Sequence, residues 1–196
     1  MTRTTHATVG VCSSFYFSTI IGVNPVWAVI LGVFSSLLPD VDTGRSMINK
    51  LLIRVKCFRN KWMKLYYLFL TLALYTVYYF TGIMVIGLLS AMCLLLVFGE
   101  HRTWFHSLLM IGPFTFILFV LNLRSELVAI GILNYILHLF LDMPNPSGVM
   151  LFYPISNKVF RFPITFRSNS IITRFLEYSA DVMLLYLVTN GYRVCF

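Results

Sequence analysis

Long apolar runs separated by short polar stretches divide the chain into helix-sized segments. A helix that crosses a bilayer needs about 20 mostly apolar residues, within a range of roughly 17 to 25. No charged residue occurs from Ala7 to Leu38, which is too long for one span, and Gly22, Asn24 and Pro25 predict a turn near the middle. We therefore expect a helical hairpin with short arms, and a tilted pair, a thin membrane and a re-entrant hairpin all remain open.

Five further apolar stretches predict five more helices, so the fold class is all-α, a polytopic membrane bundle of about seven apolar helices. The stretches cover residues 65–81, 83–98, 107–123, 127–141 and 171–189. The segment 143–170 contains four prolines and is poorly helical, and the alternation at 160–166 predicts a short extended piece at the membrane interface. We expect one membrane-embedded domain over 1–196.

The composition excludes a water-soluble globule. Of 196 residues, 59% are hydrophobic and only 11% are charged, against about 25% charged in an average soluble domain. The four cysteines form no pairing or metal-binding motif, so they do not indicate a disulfide scaffold. No small-residue cleavage site follows the first apolar run, and we expect the N-terminus to be retained.

The basic residues predict how the chain is oriented. The loop 43–64 carries seven lysines and arginines and no acidic residue, so the positive-inside rule places it in the cytoplasm. Apolar residues at helical spacing from Met47 to Val55 favour an amphipathic helix on the inner leaflet, and a solvated basic loop is an equal alternative. Counting crossings from this loop leaves only Arg124 and Arg193, of fifteen basic residues, outside. The net charge of +8 thus records orientation in the inner membrane, and we expect no nucleic-acid partner.

Ionisable residues near the membrane are candidates for function because burying them there is costly. His6 begins the first helix, and Asp40 and Asp42 follow the second. A hairpin returns the chain to its starting side, so these three groups should meet at one end. His138 and Asp142 lie four residues apart on one side of the sixth helix and arrive at the same end.

The polar segment between the fourth and fifth helices reaches this end as well. His101 and His106 are five residues apart and cannot share a helix face, so as ligands they require a break near Thr103. Imidazole and carboxylate groups bind zinc, iron or manganese, and seven of them exceed the needs of one tetrahedral ion. We expect one to three divalent metal ions at the cytoplasmic end, and zinc is the metal that we favour. The candidate ligands are His6, Asp40, Asp42, His101, His106, His138 and Asp142.

Each motif alone has a structural alternative. Asp40 and Asp42 can simply end a helix, and His138 with Asp142 can be an intrahelical hydrogen bond. The convergence of all of them favours a metal site. A divalent-cation transporter is one alternative function, which predicts ligands deep in the span and on both faces. A catalytically inactive membrane scaffold is another, and metal content distinguishes it from the other two.

The order of these blocks resembles the YdjM-type family, described as membrane-bound, LexA-regulated, predicted metal-dependent hydrolases. The resemblance runs through nearly the whole chain. Its blocks are His6, Leu37-Leu38-Pro39-Asp40-Val41-Asp42 with Ser46, 98–109 with His101-Arg102 and His106-Ser107, 138–142, Pro146, Gly148, Pro154 and Arg161-Phe162-Pro163-Ile164.

The resemblance implies a function, because that family is grouped with zinc phospholipases C and P1-type nucleases. It implies hydrolysis of a phosphoester in a membrane phospholipid or a lipid-linked phosphate. The roles it implies are metal ligation by His6, His101, His106, His138 and Asp142, ligation or base catalysis by Asp40 and Asp42, phosphate binding by Arg102, and support by Ser107.

The sequence departs from the family pattern at several positions. Thr43, Thr103 and Phe105 replace residues common in the family blocks. Ile172 stands where the tail usually carries an acidic residue, so either Glu177 substitutes from a shifted register or one metal is missing.

Overall fold

The computed structural model describes residues 3–43, 46–52, 62–100, 102–166 and 170–191, and every regular element in them is helical. Three short 3-10 turns, Pro39–Asp42, Trp104–His106 and Leu108–Met110, lie between longer helices. The α-helices are α1 (Arg3–Ile21), α2 (Pro25–Leu37), α3 (Met47–Leu52), α4 (Met63–Thr81), α5 (Met84–Phe98), α6 (Ile111–Val120), α7 (Ser125–Asp142) and α8 (Ile171–Gly191).

The first two helices form the predicted hairpin. Gly22 adopts a left-handed conformation at φ 72°, which glycine does without steric cost. The side chain of Asn24 then accepts a hydrogen bond from the backbone N–H of Val26 at 2.9 Å and caps α2, while Pro25 occupies the first helical turn. The turn therefore lies where the sequence predicts it.

The other predicted helices are present with shifted ends. The predicted helix 107–123 begins as a 3-10 turn, and α6 starts only at Ile111. Pro113 lies in the first turn of α6, where its missing N–H costs nothing. At the short extended piece predicted for 160–166, one antiparallel bridge joins Phe160 to Val149, and the backbone N–H groups of Phe162 and Phe166 donate to the carbonyl oxygens of Met143 and Pro144.

Two helical stretches within the described residues are long and apolar enough to cross a membrane, namely Pro25–Asp42 and Ser125–Asp142. The helices Met84–Phe98 and Leu108–Val120 are apolar but shorter. Five tyrosines make α4 less apolar, and threonines and serines do so in α1. Seven membrane-crossing helices therefore remain a prediction. Many apolar side chains are nevertheless exposed, such as Phe80 and Phe175, as a lipid-facing surface requires.

Packing between the helices brings the polar chain segments together. Helix α1 packs on α2 and α8, α2 packs on α7, and α4 packs on α5. Neighbouring long helices alternate in direction. The start of α1, the end of α2, the start of α6 and the end of α7 consequently share one end of the bundle, called here the site end.

Candidate metal centre

Four metal-ligand side chains converge at the site end. Asp40 lies in the 3-10 turn after α2, and His106 ends the 3-10 turn before α6. His138 and Asp142 lie on the last turns of α7. One ligand atom from each of the four lies within 4.8 Å of the other three. We call these four residues the quartet.

The separations within the quartet approach a tetrahedron. The Nε2 atoms of His106 and His138 are 3.4 Å apart, and His106 Nε2 lies 3.5 Å from Asp142 Oδ2 and 3.7 Å from Asp40 Oδ1. His138 Nε2 lies 3.9 Å from each of the same two oxygens. A regular tetrahedron with such edges has its centre about 2.3 Å from each corner, close to zinc–ligand distances of about 2.0–2.2 Å. The donor set therefore fits a small divalent ion.

In both histidines of the quartet, the Nδ1 atom, which lies away from the centre, contacts an oxygen of another residue. His138 Nδ1 donates a hydrogen bond to the Ser36 carbonyl oxygen at 2.6 Å, which leaves Nε2 as the acceptor atom. His106 Nδ1 lies 3.3 Å from Asp42 Oδ2. A partner on the remote nitrogen fixes the orientation of a metal-binding imidazole and raises its basicity. Asp42 thus supports His106 from outside the quartet.

Burial and charge also favour a cation here. The side chains of His106 and His138 are 0% exposed and that of Asp142 is 4% exposed, whereas that of Asp40 is 14% exposed. With neutral imidazoles, the carboxylates of Asp40, Asp42 and Asp142 outnumber the nearby Arg102 guanidinium by two charges. A divalent ion would balance this excess.

The same carboxylates affect the protonation of His106. Burial alone would lower the pKa of its imidazole, but interactions with Asp142 and Asp42 raise that pKa to about 9. A metal ligand must be deprotonated, so an ion entering the quartet would displace this proton.

His6 lies beside the quartet and contacts two of its members. Its ring stacks on His138 with centroids 4.0 Å apart, and its Nε2 lies 3.2 Å from Asp142 Oδ1, the oxygen that faces away from the tetrahedron. The other ring nitrogen, Nδ1, is buried without a hydrogen-bond partner among the described residues. His6 Nε2 therefore contacts Asp142, and His6 Nδ1 has no hydrogen-bond partner among the described residues.

Arg102 occupies the backbone break that the sequence requires near Thr103. Its φ of 69° is left-handed, and its backbone N–H donates to Asp42 Oδ2 at 3.0 Å. The guanidinium donates to the Gly148 carbonyl at 3.1 Å and to the Ser147 hydroxyl, and Nη2 lies 3.5 Å from Asp142 Oδ2. The candidate ligand His101 lies outside the described residues.

Sequence reasoning missed two residues that hold the turn after α2. Asn49 is fully buried, and its Nδ2 donates to the carbonyl oxygens of Val41 at 2.6 Å and Thr43 at 2.8 Å. The Tyr67 hydroxyl contacts Asn49 Oδ1. The available signal was an asparagine inside the apolar pattern of 47–55, of which 47–52 forms α3.

Three other predicted residues lie apart from the quartet. Ser107 donates to the Trp104 carbonyl at 2.8 Å, so it closes the turn that carries His106. Glu177 accepts hydrogen bonds from Thr4 at 2.9 Å and Thr5 at 2.7 Å, which ties α8 to the start of α1. Ile172, at the position where an acidic residue is usual, is 52% exposed.

Comparison with known proteins identifies the family. No curated protein and no solved structure gives a match. The model of one family, described as YdjM inner membrane protein, matches residues 1–194, and this is nearly the whole chain. The His, Asp and Arg side chains described above therefore belong to a member of the YdjM inner membrane protein family.

Proposed function

We propose that this protein is a multi-pass membrane hydrolase that uses a divalent metal to cleave a phosphoester in a phospholipid or lipid-linked phosphate. Zinc is the metal that we favour. The observation that carries the proposal is the near-tetrahedral quartet with a guanidinium against one of its oxygens. A bound divalent ion supplies Lewis acidity toward water and phosphoryl oxygen. A scaffold would need neither this donor geometry nor the adjacent cation.

The four members of the quartet would have different roles. His106, His138 and Asp142 are the most buried, and two histidines with one carboxylate are a known catalytic zinc set that leaves one position open. Asp40 is more exposed and faces the same centre. Asp40 Oδ1 lies at that fourth position in the structure, so we assign Asp40 to give the position up to the attacking water and to accept a proton from that water as a general base.

Arg102 would bind the phosphate. Its planar guanidinium stays charged at any physiological pH and can donate two parallel hydrogen bonds to a phosphate. Contacts with Ser147 and Gly148 hold the group beside Asp142, so it is fixed before substrate arrives. Arg102→Lys should retain the charge but weaken substrate binding, because the forked contact is lost.

We place the site on the cytoplasmic face because the basic stretch 43–64 joins two helices at the site end. In a background without the native cysteines, Lys50→Cys and Asn157→Cys should resist an impermeant thiol reagent in intact cells. Ser125→Cys, at the opposite end of α7, should react. The reverse pattern would contradict this orientation.

The function is tested with metal-replete protein and a panel of radiolabelled phospholipids and polyprenyl phosphates. His138→Ala removes a quartet nitrogen, and Asn134→Ala is its matched control because Asn134 is a buried polar residue one turn earlier on the same helix. We expect product from the wild type and from Asn134→Ala, and none from His138→Ala. Equal product from all three proteins on every substrate would reject the proposal.

A further inference from the structure

A large apolar cavity lies next to the quartet, among α2, α4, α5 and α6. Its volume is about 470 Å³, and no charged side chain lines it among the described residues. Leu38, Val41 and Phe105 line the end nearest the quartet. Val85 and Leu123 line the opposite end. The cavity therefore runs from the site end into the bundle.

The near end of the cavity lies against the two turns that carry Asp40 and His106. Leu38 and Val41 flank Pro39 and Asp40 in the chain, and Phe105 directly precedes His106. A molecule in this cavity would thus have its end at the level of Asp40 and His106.

The length of the cavity corresponds to one membrane leaflet. Leu96 near the site end and Val85 at the far end both line it from α5. These residues are eleven positions apart, a rise of about 16 Å along a helix. That is roughly half of the ~30 Å hydrocarbon core of a bilayer.

From these features we infer that the cavity holds one hydrocarbon chain of a phosphorylated lipid whose phosphate lies between the metal centre and Arg102. This inference rests on the proposed function and specifies its substrate class. The lining residues offer water no polar surface, so an apolar occupant suits the cavity better than water does. The Arg102 guanidinium, which lies against Asp142 of the quartet, supplies the charge that a phosphate at the metal centre requires.

The test titrates zinc-loaded protein with butyl, octyl, dodecyl and hexadecyl phosphate in a calorimeter, in a detergent without phosphate. All four probes share one headgroup and differ only in chain length. Each methylene group that enters the cavity should strengthen binding by up to about fourfold. Affinity should therefore rise along the series.

Substitutions that narrow the cavity make the test specific. Val85→Phe shortens the far end, so it should weaken hexadecyl phosphate by about tenfold or more and leave butyl phosphate unchanged. Ile117→Phe narrows the middle and should also weaken dodecyl phosphate; it is the second variant if Val85→Phe does not fold. Val29→Phe is the matched control, because Val29 lines a neighbouring cavity of about 440 Å³. It should bind the series like the wild type.

Metal content and thermal unfolding are measured on the same samples. An equal affinity for all four probes on zinc-loaded protein would overturn the inference and leave the proposed function intact. So would the same binding profile for Val85→Phe and Val29→Phe. Failure of the wild type to bind zinc would overturn the proposed function, and the inference with it.

Discussion

Helix α7 carries two buried polar regions one turn apart, and they are built in opposite ways. Around Asn134 every polar atom has a partner: Nδ2 donates to Ser14 Oγ at 3.0 Å and to the Ile130 carbonyl at 2.8 Å, and Oδ1 accepts from Ser13 at 2.6 Å. Around His138 and Asp142, imidazole nitrogens and carboxylate oxygens crowd one point at 3.4–3.9 Å.

The difference separates a structural network from a binding site. Buried polar groups that only join helices are satisfied by short hydrogen bonds, as Asn134 is. At the quartet, acceptor atoms face one another and gain stability only from a positive charge between them. Asp142 and Asp42 raise the pKa of His106 and so favour its positively charged form, and a divalent ion would supply the positive charge in its place.

The largest expected effect contrasts the two regions directly. His138→Ala should abolish tight metal binding, since even the loss of an outer partner costs about 10–100-fold in affinity. Asn134→Ala should cost about 1–3 kcal/mol in the free energy of unfolding and leave metal content unchanged. Metal analysis and thermal unfolding of both variants check this. Equal loss of metal in both would show that the polar regions are not distinct.

The second prediction concerns Asp40, the most exposed member of the quartet. As a general base, Asp40→Asn should lower turnover by about 10²–10⁴-fold and leave the metal bound. Phosphate release from the lipid substrate and metal content are measured on the same sample. Loss of the metal together with turnover would make Asp40 a ligand instead.

A smaller effect is expected at Asp42, which contacts the quartet through His106 Nδ1. Asp42→Asn should lower metal affinity by about 10–100-fold, because the imidazole loses its charged partner. Competition with a chelator of known affinity measures the change. An affinity as low as that of His138→Ala would place Asp42 among the ligands.

The smallest effect is expected at Asn49, which holds the backbone on either side of Asp42. Asn49→Ala leaves two carbonyl oxygens without their donor, so it should cost about 1–3 kcal/mol in the free energy of unfolding. Metal affinity should fall less than in Asp42→Asn, since Asp42 itself remains. Tyr67→Phe removes the hydroxyl that contacts Asn49 Oδ1 and leaves both backbone contacts of Asn49 in place. It is the control, and it should lower the free energy of unfolding less than Asn49→Ala. A wild-type unfolding temperature for Asn49→Ala would contradict this role.

The sequence was sufficient to predict that these polar residues meet at one end of the bundle. It was not sufficient to predict which of them face the metal position and which support those that do. Because successive long helices run in opposite directions, every second connection lies at the same end of the bundle. The structure has these polar residues at one end, as predicted: His6, Asp40, Asp42, His106 and Asp142. Which of these groups face the centre depends on turn geometry and rotamers at the scale of an ångström. Helical periodicity carries no information on that scale.

The contacts that support the quartet could not be predicted from the sequence for a similar reason. Asn49 acts through backbone carbonyls of another segment, and the Ser36 carbonyl that orients His138 has no side-chain signature. The left-handed backbone at Arg102 was foreseen only as a break near Thr103. Such features follow from tertiary packing, which no local pattern encodes.

The most direct test of the central claim is the metal stoichiometry of the purified wild-type protein in detergent, measured by mass spectrometry before and after dialysis against a chelator. We predict at least one equivalent of a transition metal, zinc first, and a lower unfolding temperature once the ion is removed, because an ion that binds only the folded state stabilises it. Protein that is folded, contains no transition metal and does not take up added zinc would contradict the account.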